Sequence, residues 1–139
     1  MPAPNDRMNP SSNGNGSMHS VLIVDDEHTF CAVMGEVLES FGFRVHQAYS
    51  AGQALLVLAE VTPDLILTDL RMPDSDGIKL LEQLRLEPIW GRIPKIVITA
   101  KASSTDLTAA RQAGADGFLR KPFSVRELRA AITPFLPIA

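Results

Sequence analysis

The sequence predicts an α/β fold, a parallel sheet wound on both faces by helices. Two observations predict it. Short apolar, β-branched runs alternate with helix-like segments five times along the chain, and five β–α pairs in sequence imply a parallel sheet. The central runs, Val21-Leu22-Ile23-Val24, Leu65-Ile66-Leu67 and Ile96-Val97-Ile98, are wholly apolar, as strands covered on both faces are. Right-handed crossovers make the arrangement doubly wound.

The elements follow in order. Val21 to Val24 is the first strand, and it stops at Asp25-Asp26-Glu27. Phe30, Val33, Met34, Val37, Leu38 and Phe41 then recur at helical spacing and mark the inward face of the first helix, which Gly42 ends. Arg44 to Tyr49 is the second strand. Ser50 opens the second helix with Gln53 three residues on, a capping-box spacing, and Ala54, Leu55 and Leu58 face inward. Asp64 to Leu70 is the third strand, Pro73 to Gly77 a loop, and Ile78, Leu81 and Leu84 the apolar face of a third helix ending near Pro88. Ile93 to Ala100 is the fourth strand, and Ser104 to Ala113 a short Ala-rich helix. Gly117 to Arg120 is a short fifth strand. Ser124 and Glu127 form a second capping-box pattern before a helix whose Val125, Leu128 and Ile132 face inward, and Pro134 and Pro137 mark its end. Trp90 reads as a loop residue covering a helix edge.

Composition bounds what such a fold does. At 139 residues, 45% hydrophobic and 21% charged, the chain holds one ordinary globular domain. Residues 1–19, dominated by Pro, Asn, Ser and Gly, read as a disordered tail, and residues 20–139 as the domain. A net charge of −3 gives no sign of a nucleic-acid-binding surface. The one cysteine, Cys31, cannot form an internal disulfide and points to a reducing compartment, the cytoplasm. No apolar run approaches the ~20 residues that span a bilayer, and no signal-peptide pattern opens the chain.

In open parallel sheets, ligands bind at the carboxyl ends of the strands. The first strand ends in Asp25 and Asp26, the third in Asp69, the fourth in Thr99, and the fifth leads to Lys121. Three carboxylates packed together repel one another, and a divalent cation is the natural compensation. Oxygen-only ligands suit Mg²⁺. Cation and Lys121 together would make an electropositive hole beside Asp69, suited to the equatorial oxygens of a phosphoryl group, with Thr99 as a hydroxyl donor. Asp69 is then placed as a nucleophile forming an acyl phosphate. His28 follows the acids but is a poor match for an oxygen-preferring ion. His46 and Cys31 read as structural.

The segments VLIVDDE (21–27), PDLILTDLRMPDSDG (63–77), KIVITA (95–100) and AGADGFLRKPF (113–123) resemble the receiver domain of two-component response regulators, over about residues 20 to 136. The resemblance implies a flavodoxin-like five-stranded sheet in the order 2-1-3-4-5 with five helices. It implies that Asp69 is the phosphoacceptor, that Asp26 binds Mg²⁺ directly and Asp25 through water, and that the backbone carbonyl of Arg71 completes the protein ligands. Thr99 and Lys121 would engage the phosphoryl group. Phe118 would be the aromatic that turns inward when Thr99 moves, although filling the core is an equal reading of a buried aromatic. Lys121-Pro122 would be a cis bond, and Gly77 a small residue closing the loop after the acceptor.

The implied partners are a histidine kinase or histidine phosphotransfer protein and a downstream protein. The latter would bind the face formed by the fourth helix, fifth strand and fifth helix. Direct nucleic-acid or membrane binding is not expected. The chain reads as a free-standing switch rather than a turnover enzyme, monomeric or dimerising on phosphorylation.

Arg71 and Lys101 lie two residues after Asp69 and Thr99, where family side chains influence the phosphoryl lifetime. Neither can accept a proton from an attacking water or orient it through a carbonyl, which predicts slow loss of the phosphoryl group; the rival outcome is that one of the cations neutralises developing charge and speeds hydrolysis. The competing classes are weaker. An aspartyl-phosphate hydrolase would want a second acid at position 71. A nucleotide or flavin module would want a Gly-rich anion loop where Asp25-Asp26-Glu27 stands. A degenerate receiver kept only for protein contact would not need all five rim residues.

Overall fold

The computed structural model describes residues 18–72 and 75–138. The expected tail of residues 1–19 lies outside them up to residue 17. Five strands form one parallel sheet: β1 (Ser20–Val24), β2 (Arg44–Ala48), β3 (Leu65–Thr68), β6 (Lys95–Thr99) and β7 (Gly117–Arg120), in the order β2-β1-β3-β6-β7. All four ladders are parallel. This is the expected flavodoxin-like order, with two small strands inserted in the count. The helices are α1 (His28–Ser40), α2 (Ala51–Leu58), α3 (Gly77–Leu86), α4 (Pro88–Gly91), α5 (Ser104–Gln112) and α6 (Val125–Ile132).

Strand alternation sorts the helices onto two faces. Val21, Ile23, Leu65, Leu67, Ile96 and Ile98 point one way and pack with Met34 and Leu38 of α1 and Leu128 and Ile132 of α6. Leu22, Val24 and Ile66 point the other way, against Ala54 and Leu58 of α2 and Leu80 and Leu84 of α3. Val97 joins them on that side with Leu81 of α3 and Ala110 of α5. Both faces are closed, and the wholly apolar strands are buried along their length.

The structure departs from expectation in four places. Six helices stand where five were expected. Glu87 caps a separate turn through bonds from the Ile89 and Trp90 N–H groups, with Pro88 at its first position, so Trp90 is helical and packs on the α2–α3 core. In the expected loop 73–77, Ser75–Asp76 (β5) pairs antiparallel with Arg71–Met72 (β4), while Pro73 and Asp74 lie outside the described residues. Val33 and Val125, expected inside, are 55% and 54% exposed. They line one apolar groove between α1 and α6, because the apolar stripes are wider than the contact between the helices. At the second helix, Ser50 caps Gln53 as expected, but Gln53 returns its bond to the Tyr49 N–H rather than to Ser50. The box at Ser124–Glu127 is complete.

Candidate functional site

The strand ladders themselves bring the rim residues together. One residue beyond β1, the Asp25 N–H donates to the Ala48 carbonyl; one beyond β3, the Asp69 N–H donates to Val24; one beyond β7, the Lys121 N–H donates to Thr99. Each bond is 3.0 Å. The sheet register therefore fixes where the acids and the lysine begin. Gly77 closes the far side of the acceptor loop. A Cβ there would sit 2.5 Å from the Asp69 carbonyl oxygen and 2.7 Å from Leu70 Cα, so α3 can start this close to Asp69 only with glycine.

Asp25, Asp26 and Asp69 each offer a carboxylate oxygen within 4.8 Å of the others. Lys121 Nζ donates to Asp25 Oδ2 at 2.7 Å and lies 3.4 Å from both Asp69 Oδ2 and Glu27 Oε1, above the ring of Phe30 at 4.0 Å. The Arg71 N–H donates to Asp69 Oδ1 at 3.1 Å. Thr99 is buried, and its hydroxyl donates to the Lys101 carbonyl at 3.2 Å. Asp26, Glu27, Asp69, Thr99 and Lys121 line one open cleft of about 810 Å³, with Arg71, Lys101 and the first turn of α5 around it, while Asp25 is buried beneath.

The electrostatics are those of crowded acids. Burial pushes the Asp69 carboxyl above its usual range, against the opposing pull of the Arg71 N–H and Lys121. Burial would lower Lys121, but its bond to Asp25 and the charges of Asp25, Asp69 and Glu27 outweigh that and raise it. One ammonium cannot neutralise three carboxylates. The oxygen-only donor set fits a hard divalent cation such as Mg²⁺, and His28 is not part of it. His28 stacks on Tyr49, ring centroids 3.7 Å apart, and is exposed.

Asp25, Asp26, Asp69, Thr99 and Lys121 thus share one rim, as the sequence led one to expect. Lys121-Pro122 is cis. Phe118 is not in the cleft. It is half-buried behind β6 with Val97, and the Arg111 guanidinium lies 5.0 Å from its ring centroid. Cys31 is inert structure: its thiol donates to the Asp25 carbonyl, and burial pushes its pKa up to about 11. Sequence reasoning passed over three residues. Glu27 and Phe30 bracket Lys121, and Asp106 accepts from the Arg71 guanidinium at 2.6 Å. Asp106 also completes a capping box with Ser103, a spacing readable in Ser103-Ser104-Thr105-Asp106.

A doubly wound sheet with an acid–threonine–lysine rim defines a receiver-type signalling domain. Residues 21–133 match the family model described as the response regulator receiver domain, and the chain belongs to that family. It is 42% identical to the KDP operon transcriptional regulatory protein KdpE of Escherichia coli over 115 residues, 83% of this chain and 50% of that one. It is 32% identical to sporulation initiation phosphotransferase F of Bacillus subtilis over 118 residues, 85% of this chain and 94% of that one. The chain spans about half the length of KdpE and of several other curated relatives. Among solved structures it resembles the receiver domain of sensor histidine kinase PA1611 from Pseudomonas aeruginosa. The TM-score is 0.78 and the identity 30%, covering 86% of this chain and 98% of that one; that structure has a magnesium ion coordinated in its active-site cleft.

Proposed function

We propose that this chain is the phosphoacceptor switch of a two-component phosphorelay, with Asp69 as acceptor. One observation carries the reading: Asp69 Oδ2 stands 3.4 Å from Lys121 Nζ within a cluster of three carboxylates. The donor is the phosphohistidine of a histidine kinase or histidine phosphotransfer protein. An Asp69 carboxylate oxygen attacks phosphorus in line as the P–N bond breaks, and the electron pair leaves with the imidazole. Asp26 directly, Asp25 through water, Asp69 and the Arg71 carbonyl would hold Mg²⁺. When bound, the ion supplies positive charge to the transferring phosphoryl oxygens. Lys121 supplies the other cation.

The product adds charge and strong acceptor oxygens beside Thr99. The strand register supports the readout. Thr99 pairs with Arg120 and Val97 with Phe118, so hydroxyl and aromatic sit on neighbouring strands and one face of the sheet. Thr99 swings from the Lys101 carbonyl to the phosphoryl group, Phe118 turns into the space vacated, and the α5–β7–α6 face changes its packing. The protein is a switch in the cytoplasm that promotes its own modification, not a turnover enzyme, and its output passes through a protein partner. Arg71 and Lys101 tune how long the phosphoryl group persists. Incubation with radiolabelled acetyl phosphate tests the reading: Mg²⁺-dependent label on wild type, none on Asp69→Asn. A receiver kept only for protein contact would take up no label.

A further inference from the structure

An ion pair bridges the cleft between two residues that different elements hold in place. On one side the Arg71 backbone is pinned beside the acceptor. Its N–H donates to Asp69 Oδ1 at 3.1 Å, and Arg71–Met72 pairs with Ser75–Asp76. On the other side Asp106 stands in the first turn of α5. Its Oδ2 accepts from the Ser103 N–H at 3.0 Å, and its own N–H donates to the Ser103 hydroxyl at 3.1 Å. The same Oδ2 accepts from the Arg71 guanidinium at 2.6 Å. The Ser103 N–H, and after it the Arg71 guanidinium, hold the Asp106 carboxyl below its usual range, so it is ionised at neutral pH.

The Arg71 side chain grows from a backbone that touches the acceptor, and both line the cleft. Its guanidinium therefore has two anionic destinations, Asp106 and a phosphoryl group on Asp69, and its fork suits either. The structure shows the first. Asp106 is already oriented by the helix cap, so pairing costs conformational freedom mainly on the arginine side. Among the described residues Arg71 is the one ion-pair partner of Asp106, whereas Asp69 already has Lys121 facing it. We propose that Asp106 is a positioning residue, which holds the Arg71 guanidinium off the phosphoryl group and so lengthens the life of phospho-Asp69. This rests on the phosphoacceptor reading above. In the loss step, water attacks phosphorus and the P–O bond to Asp69 breaks. The electron pair returns to the carboxylate, and orthophosphate leaves as a proton passes to solvent. Charge builds on the departing carboxylate and on the phosphoryl oxygens, and a guanidinium placed there would stabilise it. Tethered to Asp106, Arg71 neither supplies that charge nor positions water. The tether thus closes the route by which a cation two residues after the acceptor would speed hydrolysis.

The test labels the full chain with radiolabelled acetyl phosphate and Mg²⁺, removes the donor and follows the decay of phospho-Asp69. Asp106→Asn keeps a carbonyl oxygen for the Ser103 N–H but loses the charge, and its decay is expected to be about tenfold faster. Asp106→Glu keeps the charge on a residue favoured at that capping position and should decay as wild type does. In an Arg71→Ala background, Asp106→Asn should change the decay no further. Circular dichroism melts check that each variant is folded; if Asp106→Asn is not, Asp106→Gln takes its place. Unchanged or slower decay in the neutral variant overturns the proposal. So does equal acceleration in Asp106→Glu, or the same acceleration in the Arg71→Ala background, which would place the effect in α5 rather than in the guanidinium. Absence of label on wild type would overturn the phosphoacceptor reading and this one with it, whereas label whose decay ignores Asp106 overturns this one alone.

Discussion

The two rims of the sheet bury charge in opposite ways. At the amino-terminal rim Lys95 is 2% exposed, and its Nζ donates to the carbonyls of Trp90 and Ile93 at 2.8 and 2.6 Å. Its N–H is taken by Asp116, while Asp64 accepts from the Ser20 N–H. At the carboxyl rim Asp25 is 1% and Asp69 8% exposed, and they share one lysine with Asp26 and Glu27 nearby. The first rim answers its buried charge with neutral dipoles and is complete. The second accumulates like charge in an arrangement that could hold a cation. Satisfied buried charge is architecture, whereas crowded, under-compensated charge in a cleft marks chemistry.

Substitution of Lys121 on one rim and of Lys95 on the other should break this comparison most visibly. Lys121→Met removes the counter-charge of a buried carboxylate and a donor to the phosphoryl group. Labelling of Asp69 should slow at least about a hundredfold, and urea melts in EDTA should lose about 3 kcal/mol, part of it restored by Mg²⁺. Lys95→Met leaves two carbonyls unpaired and should cost about 1–3 kcal/mol, with Mg²⁺ giving no rescue and labelling unchanged. Equal Mg²⁺ rescue of both variants would erase the distinction.

A pH series sharpens it further. The Asp69 carboxyl is raised in the fold, so the folded chain binds its proton more tightly than the unfolded one. That contribution is fully present below the unfolded value of 3.8 and is lost as pH rises through the raised one. In EDTA, Asp69→Asn should therefore melt above wild type near neutral pH, and the two should converge in acid below the unfolded value. Lys95 is lowered by burial, with Asp116 opposing. Its contribution has the opposite slope: stability is gained as pH rises between the lowered value and 10.5. A melting curve of Asp69→Asn that lies below wild type near neutral pH would contradict this account of the carboxyl rim.

The smallest effects belong at the cleft mouth. Arg71 is mostly exposed, so Arg71→Asn should change stability by no more than about 0.5 kcal/mol despite the short bond to Asp106. Its effect should fall on lifetime. Phospho-Asp69 should decay faster in Arg71→Asn and in Lys101→Glu, because each new side chain can orient water through a carbonyl or accept its proton. Longer lifetimes in both would reject the slow-loss hypothesis.

The sequence was most informative where period and position coincide. Apolar runs set the strands, and the residue that ends each run is the one the ladder carries onto the rim, which is why Asp25, Asp69, Thr99 and Lys121 could be read as a set. It was least informative where tertiary geometry decides. Val33 and Val125 belong to apolar stripes by spacing, yet the two helices leave a groove between them. The Arg71–Asp106 bond joins residues 35 apart that no local pattern links. Phe118 could be placed on the fifth strand, but only the register with Val97 and the stacking of Arg111 show which face it occupies.

The central claim is that the carboxyl rim is a phosphoryl-acceptor site completed by a divalent cation. The most direct measurement is a Mg²⁺ titration of label incorporation from radiolabelled acetyl phosphate, followed by peptide mapping. The account predicts label that saturates with Mg²⁺, maps to Asp69 and is absent from Asp69→Asn. Label that is independent of Mg²⁺, or that persists in Asp69→Asn, would contradict it.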